Sequence, residues 1–164
     1  QPGHAGFFPF NKFSAVPLYG LVSLTANRSE YAGVDSVYYT GSFETRFIGN
    51  LLAGWRFNPK WEVSGKYRLA TGLPYTPFAT AGPEEGERDF TQYNQQRLPT
   101  YSAVDIRIDR RWSFRAVQLD VYLDIQNLFG AANVTGTYWN ERTQQEEFDE
   151  GLGILPTIGV NVEF

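Results

Sequence analysis

Along much of this chain, apolar and polar residues exchange places at every step. A two-residue period marks a strand whose two sides meet different surroundings. The cleanest stretch covers residues 117–126, where Val117, Leu119, Val121, Leu123 and Ile125 alternate with Gln118, Asp120, Tyr122, Asp124 and Gln126. Val104, Ile106 and Ile108 alternate with Asp105, Arg107 and Asp109. Trp61, Val63, Gly65, Tyr67 and Leu69 alternate with Glu62, Ser64, Lys66 and Arg68. Phe43, Phe47, Leu51, Ala53, Trp55 and Phe57 share one side, with Glu44, Arg46, Asn50 and Arg56 on the other. Ile158, Val160, Val162 and Phe164 alternate with Gly159, Asn161 and Glu163.

Weaker segments run over 18–27, with Leu18, Val22, Leu24 and Ala26 on one side, and over roughly 6–13 and 134–141. The pattern therefore predicts an all-β, antiparallel protein of about eight strands, near the roughly 9–11 residues that cross a bilayer. Asn58-Pro59-Lys60 reads as a tight turn and 129–133 as a short one. Residues 71–100, with Pro74, Pro77, Pro83 and Pro99, read as a long loop, and the acidic stretch 142–155 as another. No helix, internal repeat or domain boundary is visible, so 1–164 reads as one unit without a separate plug or soluble domain.

Alternation alone does not say which side is wet. A soluble barrel turns its apolar side inward; a membrane barrel turns it outward. Aromatics at strand ends favour the second arrangement. Trp55, Phe57 and Trp61 flank one turn, Trp112 and Phe114 flank another, and Trp139 is counted with them as a girdle at the headgroup level. Mean hydropathy of −0.36 would pass for a soluble protein, but a membrane strand offers lipid only every second residue. No apolar run approaches the roughly 18 residues of a membrane helix. A soluble carrier with an apolar interior remains the competing reading.

The last strand carries a more specific signal. Thr157-Ile158-Gly159-Val160-Asn161-Val162-Glu163-Phe164 looks like the outer-membrane assembly signal, with Thr157, Gly159, Val162 and Phe164 at its defining positions. Such a strand is read by the barrel-assembly machinery through strand pairing.

Further motifs extend the likeness across most of the chain. They are Tyr19-Gly20-Leu21-Val22-Ser23-Leu24 before Asn27-Arg28-Ser29, Phe43-Glu44-Thr45-Arg46-Phe47, and Gly72-Leu73-Pro74-Tyr75-Thr76-Pro77. Leu98-Pro99-Thr100-Tyr101 leads into Val104-Asp105-Ile106-Arg107, and Leu123-Asp124-Ile125-Gln126-Asn127-Leu128-Phe129 precedes Leu155-Pro156-Thr157. In this order they resemble the C-terminal barrel portion of TonB-dependent outer-membrane receptors. The resemblance implies a barrel of about 22 strands around a plug, in the bacterial outer membrane, importing a scarce nutrient. It implies four partners: outer-membrane lipid, the rest of the barrel with its plug, an energising inner-membrane complex acting through that missing portion, and the assembly machinery. Closure of eight strands into a small structural barrel is the alternative.

In either barrel Glu44, Arg46, Arg56, Glu62, Lys66, Arg68, Asp105, Arg107, Asp109, Asp120, Asp124 and Glu163 would face the lumen. A charge on the lipid side costs roughly 2–4 kcal/mol at midplane. Most of these residues read as a ladder of opposite charges between neighbouring strands. Counting back from a periplasmic Phe164 makes 142–155 extracellular, 128–133 periplasmic, and the turns at 58–60 and 112–115 extracellular. Residues 71–100 then fall on the periplasmic side, where connections are usually short.

Composition narrows the chemistry. The chain has no Cys, and its single His is His4, so thiolate or His-based metal sites and triads are not expected. Net charge of −4 argues against a nucleic-acid partner. Neither a catalytic constellation nor a cofactor motif is present, and the chain does not read as an enzyme. With no Met, and Gln1 opening no signal peptide, it reads as a processed or partial product.

Overall fold

The computed structural model describes residues 17–34 and 36–164. The expected strand near 6–13 lies outside them. The described residues form β1 (Leu18–Ala26), β2 (Glu30–Ala32), β3 (Tyr38–Thr40), β4 (Phe47–Asn58), β5 (Trp61–Ala70) and β6 (Pro74–Tyr75). A 3-10 turn at Phe90–Gln92 follows, then β7 (Gln96–Arg97), β8 (Tyr101–Ser113), β9 (Gln118–Gln126), β10 (Val134–Asn140), β11 (Gln145–Glu150) and β12 (Leu155–Glu163). The protein is all-β, and every pairing is antiparallel.

Six long strands make one open sheet in the order β1-β4-β5-β8-β9-β12, while β2–β3, β6–β7 and β10–β11 form separate two-stranded pairs. Register carries the alternation across the whole sheet. Leu18, Trp55, Val63, Ile108, Leu123 and Ile158 lie in one row across all six strands. A second row runs Tyr19, Gly54, Ser64, Arg107, Asp124 and Thr157 on the opposite side. A one-residue slip anywhere would mix the two faces.

The apolar face is bare. Leu24 is 63% exposed, Ile158 74% and Leu123 42%, whereas Asp109 is 5% and Glu62 6%. Among the described residues, the buried apolar side chains are Ala70, Pro74, Leu98 and Ala103, and the buried polar ones are Glu44, Glu62, Thr76, Asn94, Asp109, Asn127 and Asn133. Soluble domains hide Ile, Val, Leu and Phe first and rarely expose a broad apolar patch. This distribution is turned inside out.

The connections sort to opposite ends of the sheet. At one end lie the tight β4–β5 and β8–β9 turns, together with Phe164 at the close of β12. Asn58 Oδ1 shapes the first turn by accepting from Lys60 N at 2.9 Å and Trp61 N at 3.0 Å. At the other end lie the long connections 27–46, 71–100 and 127–154.

This corrects the sides counted from the sequence. Residues 128–133 and 142–155 share one end with 71–100, and the turns at 58–60 and 112–115 are at the opposite end, beside Phe164. The count failed because β10, expected as a sheet strand, turns back on β11, so that β9 pairs directly with β12. The stretch 142–155, expected as a loop, contains β11. Asn140 Oδ1 accepts from Arg142 N at 3.0 Å at that hairpin turn, and Tyr138 donates to Glu147 at 2.8 Å across the pair. A strand of Gln145, Glu146, Glu147, Asp149 and Glu150 with Phe148 as its one apolar residue has no alternation to betray it.

Backbone amide exchange of the 164-residue chain should be slowest in β5 and β8, which are paired on both sides, and faster in β1 and β12, which close the sheet order. Equal protection of β1 and β5 would mean that the outer edge of β1 is paired as well.

Candidate functional site

Two regions hold the chemistry: the polar face of the sheet and the group of connections at one end. On the polar face, Glu62 is the hub. It accepts from Tyr19 Oη at 2.5 Å, Arg56 Nε at 2.7 Å and Arg111 Nη2 at 2.8 Å, joining β1, β4, β5 and β8. Lys66 reaches Asp105 at 2.8 Å, and Arg107 grips Asp109 at 2.7 Å within its own strand. Arg111 Nε lies 3.5 Å from Asp120 on β9. A buried carboxylate is tolerated only when its acceptor sites are filled; three donors fill those of Glu62.

Arg56, Glu62, Lys66, Arg68, Asp105, Arg107, Asp109, Asp120, Asp124 and Glu163 share this face by register. Glu44 and Arg46 do not lie in the sheet; they precede β4 in the connection 27–46. Arg68 sits over the Tyr101 ring at 5.7 Å, and Asp124 accepts from Gln126 at 3.2 Å. Sequence reading missed Arg111, Tyr19 and Tyr122. Arg111 continues the parity of 105, 107 and 109, but the adjacent Arg110 and Arg111 obscure it. Arg110 belongs to the apolar parity and lies between two rings, 4.6 Å from Trp61 and 5.1 Å from Trp112. A cation there keeps an aromatic partner while its head reaches the sheet end.

Trp55, Phe57, Trp61, Trp112 and Phe114 gather at the short-turn end, and the Trp55 and Phe57 rings are 5.3 Å apart. Trp139 stands apart from them, on β10, with its ring 5.9 Å from Phe78. Thr157, Gly159 and Val162 lie on β12, and Phe164 follows it.

Buried polar groups fasten the long connections to one another. Glu44, 1% exposed, accepts from Ser29 N at 2.8 Å, Arg46 Nε at 3.0 Å and Arg97 Nη2. Arg97 also donates to the carbonyls of Glu44 and Gly72, at 3.0 and 3.1 Å. Asn94 donates through Nδ2 to Thr40 O at 2.8 Å, while its N–H meets Thr76 Oγ1. Arg88 stacks 3.8 Å over Phe78 and donates to Thr76 O and Thr137 O, tying 71–100 to β10. Asn127 closes the base of 127–154 through Ala131 O and Leu152 O. Near the same end, Asn27, Arg28, Glu30 and Arg46 line a cavity of about 410 Å³.

Among the described residues, no group of three or more His, Cys, Asp or Glu is arranged to hold a metal ion. In the acidic run, Glu147 takes hydrogen bonds from Tyr138, Thr143 and Asn140, which hold its carboxyl below the usual range. No protein-family model matches the chain, and no curated protein matches it either.

Burial pushes the Glu44 carboxyl up, but the Ser29 N–H and the Arg46 and Arg97 guanidinium groups outweigh it and hold its pKa below 4.5. A depressed folded value stabilises the fold above about pH 4.5, and that stability is lost as pH falls through the folded value. Protease cleavage within 27–46 and 71–100 should therefore rise as pH drops below about 4.5. Glu44→Gln should raise cleavage at neutral pH, at a cost of roughly 1–3 kcal/mol, and flatten the acid dependence. An unchanged pH profile in that variant would remove Glu44 as the clamp.

Proposed function

We propose that the chain forms part of the wall of an outer-membrane β-barrel, and that this barrel is a TonB-dependent receptor importing a scarce nutrient. The observation that carries the membrane reading is the bare apolar face of the six-stranded sheet, opposite a face of paired charges. Lipid covers such a face at no desolvation cost; water does not. The separation of tight turns from long connections supports it, since these barrels have short periplasmic turns and long outer loops. On this reading the turns at 58–60 and 114–117 and Phe164 are periplasmic, and 27–46, 71–100 and 127–154 are extracellular.

The receptor reading rests on the ordered motifs. Their residues do identifiable work at the outer end: Pro74 and Tyr75 pair with Arg97 and Gln96, and Asn127 closes the connection after β9. The open order from β1 to β12 supports a larger barrel, because even the smallest of this class has eight strands. The remaining strands and plug, an energising inner-membrane complex and the assembly machinery are the partners this function requires. The polar face serves as a neutralised lumen wall, and ligand selection falls to the clamped outer connections and the plug.

Single Cys residues introduced into the full-length protein, with any Cys outside these 164 residues replaced, give a direct test of sidedness. In cells making the full-length protein, Cys at Tyr38 or Leu152 should react with a membrane-impermeant maleimide. Cys at Arg115 should react only after permeabilisation. Labelling of Arg115 alone on intact cells would overturn the orientation, and labelling of all three sites on a protein free of membrane would overturn the barrel.

The mass of the polypeptide recovered from outer membranes separates the two barrel readings. A chain several times longer than 164 residues, ending in this sequence, fits the receptor. A mature chain starting at Gln1 would instead mean a small structural barrel.

A further inference from the structure

Near each edge of the six-stranded sheet, a tyrosine ring lies on a glycine directly opposite it. Tyr19 of β1 faces Gly54 of β4, and Tyr122 of β9 faces Gly159 of β12. A β-carbon at position 54 would stand 2.1 Å from Tyr19 Cζ, and one at 159 would stand 2.2 Å from Tyr122 Cζ. The rings occupy the space any other side chain would need. Elsewhere in the sheet a glycine does not imply this: a β-carbon at Gly65 meets only Asp105 O, at 3.6 Å.

Each ring is also held from outside its strand pair. The Tyr19 hydroxyl donates to Glu62 on β5 at 2.5 Å. The Tyr122 ring lies 3.7 Å from the Arg107 guanidinium, which is itself fixed to Asp109 by bonds of 2.7 to 3.1 Å. Neither ring can swing aside without breaking one of these contacts.

We propose that Tyr19–Gly54 and Tyr122–Gly159 are register locks for the two edge strands, each glycine serving as the socket for one ring. Glycine inside a strand is unfavourable by itself, because it adds backbone entropy and packs nothing. An aromatic ring across the strand gap covers it and makes its small size specific. A one-residue slip of β12 would set Tyr122 against Ile158 or Val160 and turn the strand's apolar side over. The lock gives Gly159 a role within this chain, and it holds whatever covers the apolar face.

The test uses the full-length assembled protein, with folded fraction and thermal midpoint measured for Gly159→Ala, Tyr122→Ala, the double variant and Gly65→Ala. Gly159→Ala should lower the folded fraction roughly tenfold by overpacking, while Gly65→Ala should stay within about twofold. The double variant should fold better than Gly159→Ala alone, because the three atoms nearest the added β-carbon all belong to Tyr122. If Gly159→Ala fails to fold at all, recovery in the double variant still supports the lock. A Gly159→Ala protein as stable as Gly65→Ala would overturn it, as would a double variant no better than Gly159→Ala.

Discussion

The large sheet gathers its charges on one side and its bare apolar residues on the other, with Arg110 beside Trp61 and Trp112 as the exception, and almost everything else in this molecule follows from that separation. Among the described residues, no apolar layer packs over a row such as Leu18, Trp55, Val63, Ile108, Leu123 and Ile158. The usual source of folding energy, apolar burial inside the chain, is therefore small, and what is buried is mostly polar. Cohesion within the chain comes from the backbone ladder, from cross-strand ion pairs and from side chains such as Glu62 that serve several strands at once.

The long connections solve a different problem. Long segments without an apolar core have little to hold them, and their backbone groups would exchange freely with water. Here Glu44, Asn94, Arg88 and Asn127 stand where a soluble domain would put leucines. Fully satisfied polar centres of this kind fix one arrangement because every alternative strands a donor or a charge. The same fact makes the Glu44 centre sensitive to protonation, which an aliphatic core is not.

The sheet was legible in the sequence wherever a strand has two chemically unlike faces. Residues 117–126 and 61–69 announce themselves because their odd and even positions are chemically distinct. β11 does not, since Gln145, Glu146, Glu147, Asp149 and Glu150 outnumber Phe148 in it, and the resulting miscount reversed the assignment of several turns. Of the charged residues, those inside strands could be assigned by parity, and Arg111 by the same rule applied one step further. Glu44 could not: its burial depends on Ser29 and Arg97, which no local pattern links to it. Trp139 shows the converse limit, because an aromatic near a strand end looks alike whether it belongs to the sheet or to a hairpin beyond it.

The direct pairing of β9 with β12 separates construction from variation. Asn127 bridges to Leu152 O and Gly151 N donates to Asn133 O at 2.8 Å, so the excursion between 133 and 151 is sealed at its base. Nothing in the β9–β12 register depends on how long that excursion is. Evolution can lengthen, trim or exchange the segment as a module while leaving the pairing of the six-stranded sheet untouched.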